Sequence, residues 1–181
     1  MANKLIVVSG PAGVGKGTIV KTVIKKRDDV VESVSCTTRA PRAGEVHGRE
    51  YYFLTREEFE RRIQEKDFLE YDEHFGNYYG TPESFVREML KEKSVILEID
   101  VIGALNAKRA FPDCVLVMIA PPSVEELKRR LIGRGTETEE QIAGRLSRLE
   151  YELSHKDKYD FVIVNDVVEN AVAQLERIID K

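Results

Sequence analysis

Two stretches of this 181-residue chain have the residue types and spacing to do chemistry on phosphates. The first is GPAGVGKGT, residues 10–18. Glycines at 10, 13 and 15 let the backbone wrap closely around a phosphate, some of them through positive φ. Their N–H groups would then point inward, where a helix start adds partial positive charge. Lys16 supplies a compact cation for the outer phosphates of a nucleoside triphosphate. Pro11, Ala12, Val14, Gly17 and Thr18 complete the loop. The usual pattern places Ser or Thr directly after the lysine as a Mg²⁺ ligand. Here Gly17 holds that position and the hydroxyl comes one residue later, at Thr18. A Mg²⁺ ion would therefore be held mainly by phosphate oxygens and water.

The second stretch is SCTTRAPR, residues 35–42. Pro41 removes a backbone donor and excludes a stable helix. Arg39 and Arg42 therefore sit on a stiff loop. Guanidinium groups fit phosphate oxygens in forked, charge-assisted pairs, and a stiff loop lowers the ordering cost of binding. A third feature is acidic: VILEIDVIG, residues 95–103, ends an apolar run on Asp100. Its D-V-I-G resembles the acidic turn of GTPases, but no N-K-x-D guanine signature is present. Asn3-Lys4 is followed by Leu5 and Ile6, inside an apolar run.

The elements that must position these residues follow from hydrophobic pattern. Apolar runs at 5–8, 30–36, 51–54, 95–99, 114–119 and 161–164 read as strands, with a mixed run at 68–75 as a further one. Short continuous apolar strands belong to parallel sheets covered on both faces. Helical patterns cover 18–26, 138–153 and 170–179. Two more start at capping signals, Thr55 with Glu58 and Ser123 with Glu126. Alternating strands and helices predict an α/β fold, a parallel sheet of the P-loop NTPase type covered by helices. Residues 36–81 are richer in short mixed strands and turns and predict a small mixed-β insert. GRGTETEE, residues 133–140, is a polar loop that interrupts the core again.

Composition bounds the reading. The net charge of −4, with 42% hydrophobic and 33% charged residues, suits one globular domain. The acidic balance excludes a general nucleic-acid binder, which presents basic faces. Cys36 and Cys114 have no metal or disulfide-framework spacing and read as reduced thiols. His47, His74 and His155 show no metal spacing either. No signal-peptide pattern and no apolar run of membrane-spanning length is present, which predicts a cytoplasmic location.

Read in order after the P-loop, SCTTRAPRAGEVHGREYYF (35–53), FLEYDEHFGNYYGT (68–81), LEIDVIGA (97–104), APPSVEELKRRLIGRGTETEE (120–140) and VIVND (162–166) closely resemble guanylate kinases over essentially the full length. That resemblance implies transfer of a phosphoryl group from ATP to GMP, and to dGMP. It implies a single domain: a core of 1–35, 82–132 and 146–181, an NMP-binding insert over 36–81, and a lid over 133–145. Arg39, Arg42, Tyr51 and Tyr79 match residues that hold the GMP phosphate. Glu70, Ser35, Thr81 and Asp100 match residues on the guanine base, and Glu45 assists through the GE turn. Arg134 and Arg145 match lid arginines that reach the transferring group, with Arg130 as a further candidate, and Asn165 matches an adenine-side residue. Lys16 and Mg²⁺ serve the ATP side. Family members often carry LDIDxQGA where this chain has Glu98 and Ile102, and a loop serine where it has Ala12. The resemblance also admits a non-catalytic scaffold module, since related domains serve as such, but those tend to lose the nucleotide apparatus retained here.

Overall fold

The structure, a computed structural model, describes residues 2–74, 76–133 and 139–181; for 74, 130, 131, 133, 139–143, 145 and 146 it describes the backbone only. The chain runs β1 (Leu5–Ser9), α1 (Lys16–Lys26), β2 (Val30–Glu32), β3 (Cys36–Thr37), β4 (Tyr52–Phe53), α2 (Arg56–Gln64), β5 (Phe68–His74), β6 (Asn77–Pro82) and α3 (Glu83–Met89). It continues through β7 (Ser94–Glu98), α4 (Val101–Ala110), β8 (Val115–Ala120), α5 (Val124–Gly133), α6 (Glu139–Leu153), β9 (Phe161–Val164) and α7 (Val168–Ile179).

A five-stranded sheet has the order β2-β7-β1-β8-β9 and is parallel throughout. Its central strand, β1, is buried along its whole length. Side chains alternate across a strand, so Ile6 and Val8 enter one core layer, with α1 and α7, through Val20, Val23, Val172 and Leu175. Leu5 and Val7 enter the other, with Val86 of α3 and Val101, Ala104 and Ala107 of α4. Each fully buried aliphatic side chain contributes about 1.5–3 kcal/mol. This double cover explains why the strands read as unbroken apolar runs.

A second, mixed sheet has the order β4-β3-β6-β5. Its apolar face is aromatic: Phe59 of α2 stacks on Phe68 at 4.2 Å and on Tyr78 at 5.0 Å between ring centroids. Thr55 and Glu58 form the expected capping box at the start of α2.

Some elements differ from the sequence reading. The run 30–36 is split: β2 joins the parallel sheet while Cys36 joins the mixed one, with Ser33 N–H donating to the Ile96 carbonyl at the crossover. Tyr51 lies outside β4, bridged to His47. Helix α1 starts at Lys16, two residues before the expected start at Thr18. Strand β6 and helices α3 and α4 are additional. Among the described residues, no helix is long and apolar enough to cross a membrane.

Candidate active site

The loop between β1 and α1 takes the conformation its glycines permit. Gly10, Gly13 and Gly15 have φ of 140°, 83° and 98°. At Gly10 the requirement is also spatial, because a Cβ there would lie 2.1 Å from the Ile119 carbonyl oxygen of the neighbouring strand β8. The Val14 N–H donates to the Pro11 carbonyl at 3.3 Å, closing the turn. Lys16 opens α1 and folds back over the loop, its Nζ donating to the carbonyls of Gly10 (2.6 Å) and Pro11 (3.1 Å). Burial pulls the Lys16 pKa below the ordinary lysine value; Glu98, Glu152 and Asp100 oppose that shift.

A cavity of about 340 Å³ opens over this loop, lined by Gly13, Gly15, Lys16, Gly17, Thr18, Lys21 and Glu98. Lys21 is a cation that sequence reasoning missed; it lies four residues after Gly17 and so shares its helix face. Glu98, at the end of β7, lies directly beneath Gly17, where a Cβ would meet Glu98 Oε2 at 3.2 Å. Burial pushes the Glu98 carboxyl up, while Lys16 and Lys21 hold it down. Asn165 stands behind the loop rather than on an open face. It is buried, and its Nδ2 donates to the Val14 carbonyl at 2.8 Å.

The SCTTRAPR loop follows β3. Arg39 Nη2 donates to Glu45 Oε1 at 2.9 Å, and the other oxygen of Glu45 accepts the Arg42 N–H at 2.7 Å. Glu45 thus ties the two arginines into one turn, and these contacts hold its carboxyl below the usual range, the Arg39 bond most of all. Arg39 Nη1 donates to the Ala40 carbonyl at 2.7 Å. The Arg39 guanidinium lies 5.6 Å from the Tyr51 ring centroid and 5.8 Å from that of Phe53. Tyr51 and Tyr79 meet edge to face at 6.0 Å, and the Tyr79 hydroxyl bonds to Arg39. The Arg42 side chain is exposed. A guanidinium and two phenols therefore converge on one point.

Beside them lies an acidic pocket. A register irregularity in β5 between Phe68 and Glu70 places Glu70 opposite Thr81 of β6. The Thr81 hydroxyl donates to Glu70 Oε1 at 2.7 Å, and Ser35 Oγ lies 3.3 Å from Thr81 Oγ1. Glu70 is only 8% exposed. Burial pushes its carboxyl up to about 7; Thr81 opposes the shift and the charge of Asp100 adds to it. Asp100 caps α4, its Oδ1 accepting the Gly103 N–H at 2.8 Å. A Cβ on Gly103 would meet Glu70 Oε2 at 3.0 Å and Asp100 Oδ1 at 3.3 Å, so the two carboxylates converge over that glycine.

The structure thus brings together Ser35, Thr81, Glu70 and Asp100, and separately Arg39, Glu45, Tyr51 and Tyr79. Arg134 lies outside the described residues. Arg145 lies on α6 and Arg130 on α5, with side chains outside the description. The site also contains Arg148 and Glu152 of α6, which sequence reasoning did not select. Arg148 bonds to Asp100 at 2.9 Å and to Glu152 at 3.2 Å.

Comparison with known proteins places the chain among its relatives. The family model described as guanylate kinase matches residues 2–181. The guanylate kinase of Clostridium perfringens (strain 13 / Type A) is 54% identical over 176 residues, 97% of this chain and 82% of the relative. That of Caldanaerobacter subterraneus subsp. tengcongensis is 50% identical over 97% of this chain and 85% of the relative. Among solved structures, guanylate kinase from Anaplasma phagocytophilum superposes with a TM-score of 0.79 at 34% identity, over 99% of this chain and 85% of the other. Shikimate kinase from Bacteroides thetaiotaomicron, at 13% identity and a TM-score of 0.52, shares the fold.

Proposed function

The chain belongs to the guanylate kinase family, and from that premise we propose that it transfers the γ-phosphoryl group of ATP to GMP or dGMP through the residues assembled here. The observation that carries the assignment of roles is the convergence of Glu70 and Asp100 over Gly103. Guanine presents N1–H and an exocyclic amine as donors; two carboxylates accept both. Adenine lacks the N1–H and leaves a buried acceptor unpaired, a loss that polar sites turn into rejection of about 10⁴–10⁵. Ser35 and Thr81 support the base, while Arg39, Arg42, Tyr51 and Tyr79 take the GMP phosphate. Glu45 acts by holding the two arginines in register.

The glycine loop, residues 10–18, takes the ATP phosphates, and Lys16 leaves the Gly10 and Pro11 carbonyls for a phosphate oxygen. Lys21 adds charge to the same cavity. Asn165 serves the ATP side by bracing this loop. The wall fits a Mg²⁺ ion that arrives with ATP, since it offers one hydroxyl (Thr18) and one carboxylate (Glu98) toward the ion's water shell. Among the described residues no group of three or more His, Cys, Asp or Glu could hold a metal. When bound, the ion neutralises phosphate charge. The acceptor is a phosphate oxygen, largely ionised at neutral pH because its second pKa is about 6. No strong general base is needed, so catalysis is positioning and charge stabilisation. Arg134 and Arg145 complete the set from the lid. Residues 36–81 and 133–145 close over the two nucleotides and exclude water. The reaction serves purine nucleotide metabolism in the cytoplasm.

The test is turnover of ATP with a panel of nucleoside monophosphates. GMP is expected to react, with AMP and UMP far behind. Equal use of AMP or UMP overturns the Glu70 assignment, and no turnover at all points to a binding module.

A further inference from the structure

The geometry points to Arg148 as a positioning residue for base recognition: we infer that it fixes Asp100 beside Glu70 and so sets the preference for a purine bearing a 2-amino group. The inference rests on the base pocket proposed above. Both oxygens of Asp100 are held. Oδ1 accepts from the Gly103 N–H at the start of α4, and Oδ2 accepts from Arg148 Nη2 on α6 at 2.9 Å. Two carboxylates crowding one glycine repel each other, and Arg148 brings a positive charge onto the Asp100 carboxylate. Its own aim is set one turn along α6, where Nε donates to Glu152 Oε1 at 3.2 Å. Glu152 is almost wholly buried, with 9% of its side chain exposed against 46% for Arg148, so the pair is shielded from solvent on its acidic side only.

The chemistry that follows is specific. GMP and IMP share N1–H, O6 and the phosphate, and differ only in the exocyclic amine. One carboxylate suffices for N1–H; the second is needed for the amine. Without Arg148, the charge of Glu70 drives Asp100 away from the shared edge, and the amine loses its acceptor. IMP has nothing to lose there.

Steady-state kinetics with GMP and IMP are compared for the unmodified enzyme, Arg148→Met, Arg148→Lys, Asp100→Asn and the Arg148→Met/Asp100→Asn double variant. Urea midpoints serve as the folding control. A charge-assisted hydrogen bond discounted for partial exposure corresponds to about tenfold. Arg148→Met is expected to lower the GMP-to-IMP ratio of kcat/KM about tenfold, with the loss in KM for GMP. Arg148→Lys, which keeps the charge but not the fork, is expected to restore part of it. The double variant is expected to match Asp100→Asn alone, because Arg148 acts through that carboxylate. Equal losses for GMP and IMP, or a double variant whose losses add, overturn the inference and make Arg148 a general support of α6. If Asp100→Asn itself leaves the ratio unchanged, the base-pocket reading fails, and the Arg148 inference falls with it.

Discussion

Replacing Glu70 by Gln separates the cost of the buried carboxylate from its use. Burial raises the Glu70 carboxyl from 4.5 to about 7. The folded protein therefore keeps a proton that the unfolded chain releases. Stability from this group is fully present below pH 4.5, declines as pH rises, and is lost above about pH 7. At 1.36 kcal/mol per pKa unit, the full swing is about 3 kcal/mol. Gln is neutral throughout and still accepts from the Thr81 hydroxyl through its own oxygen. Urea unfolding of both proteins between pH 4 and 9 should show the variant gaining on the unmodified chain by about 3 kcal/mol across that window, or about 6–12 °C in Tm at this length. Titrations elsewhere cancel in the difference. The same variant turns an amide N–H toward guanine donors. One charge-assisted bond to the guanine N1–H, at about 1.5–3 kcal/mol, predicts a loss of about 10–10² in kcat/KM for GMP. A stability difference flat with pH refutes the electrostatic reasoning. An unchanged KM for GMP in the variant refutes the role assigned to the carboxylate.

The local parts of the site were legible because their causes are local. The loop glycines, Lys16, the Thr55–Glu58 capping box and the proline-stiffened arginines each depend on residues within a few positions. The rest depends on partners far along the chain. Asn165 reaches Val14 across 151 positions and Arg148 reaches Asp100 across 48. Residues 101–110, VIGALNAKRA, gave no helical stripe because the face that α4 buries against β1, β5 and β8 consists of Val101 and the small residues Gly103, Ala104 and Ala107, which stand out little from the rest of the helix. The split of the run 30–36 between two sheets is a tertiary decision, set by the distant strands that each end meets, β7 for Val30–Glu32 and β6 for Cys36. The roles of Glu70 and Asp100 came from family resemblance; their convergence over Gly103 came only from the fold.

Three further substitutions test the remaining assignments. Lys16→Ala should lower kcat by about 10²–10³, the usual cost of one preorganised charge at a transition state, in single-turnover assays; full activity would remove Lys16 from the ATP side. Gly10→Ala places a Cβ 2.1 Å from the Ile119 carbonyl oxygen at a φ of 140°, so a loss of about 3 kcal/mol or more in urea unfolding is expected, and an unperturbed midpoint would contradict the loop geometry. Glu45→Gln loosens both arginine anchors and should raise KM for GMP about tenfold while leaving KM for ATP in place, measured with each substrate varied; a matched rise for ATP would show a general defect.

A chain of net charge −4 binds two polyanions, and the reason lies in how its cations are kept. Buried charges must be paired. Lys16 rests on the carbonyls of Gly10 and Pro11, and Arg39 on Glu45 and Ala40. Neither cation waits bare for a ligand. An incoming anion must displace a partner already in place, so a singly charged carboxylate gains little by exchange. A phosphate dianion offers more charge and three acceptor oxygens, and displaces a carbonyl or shares a guanidinium at a net gain. Selection for dense negative charge thus comes from pre-engaged cations within the site, while the acidic exterior discourages longer polyanions such as nucleic acids.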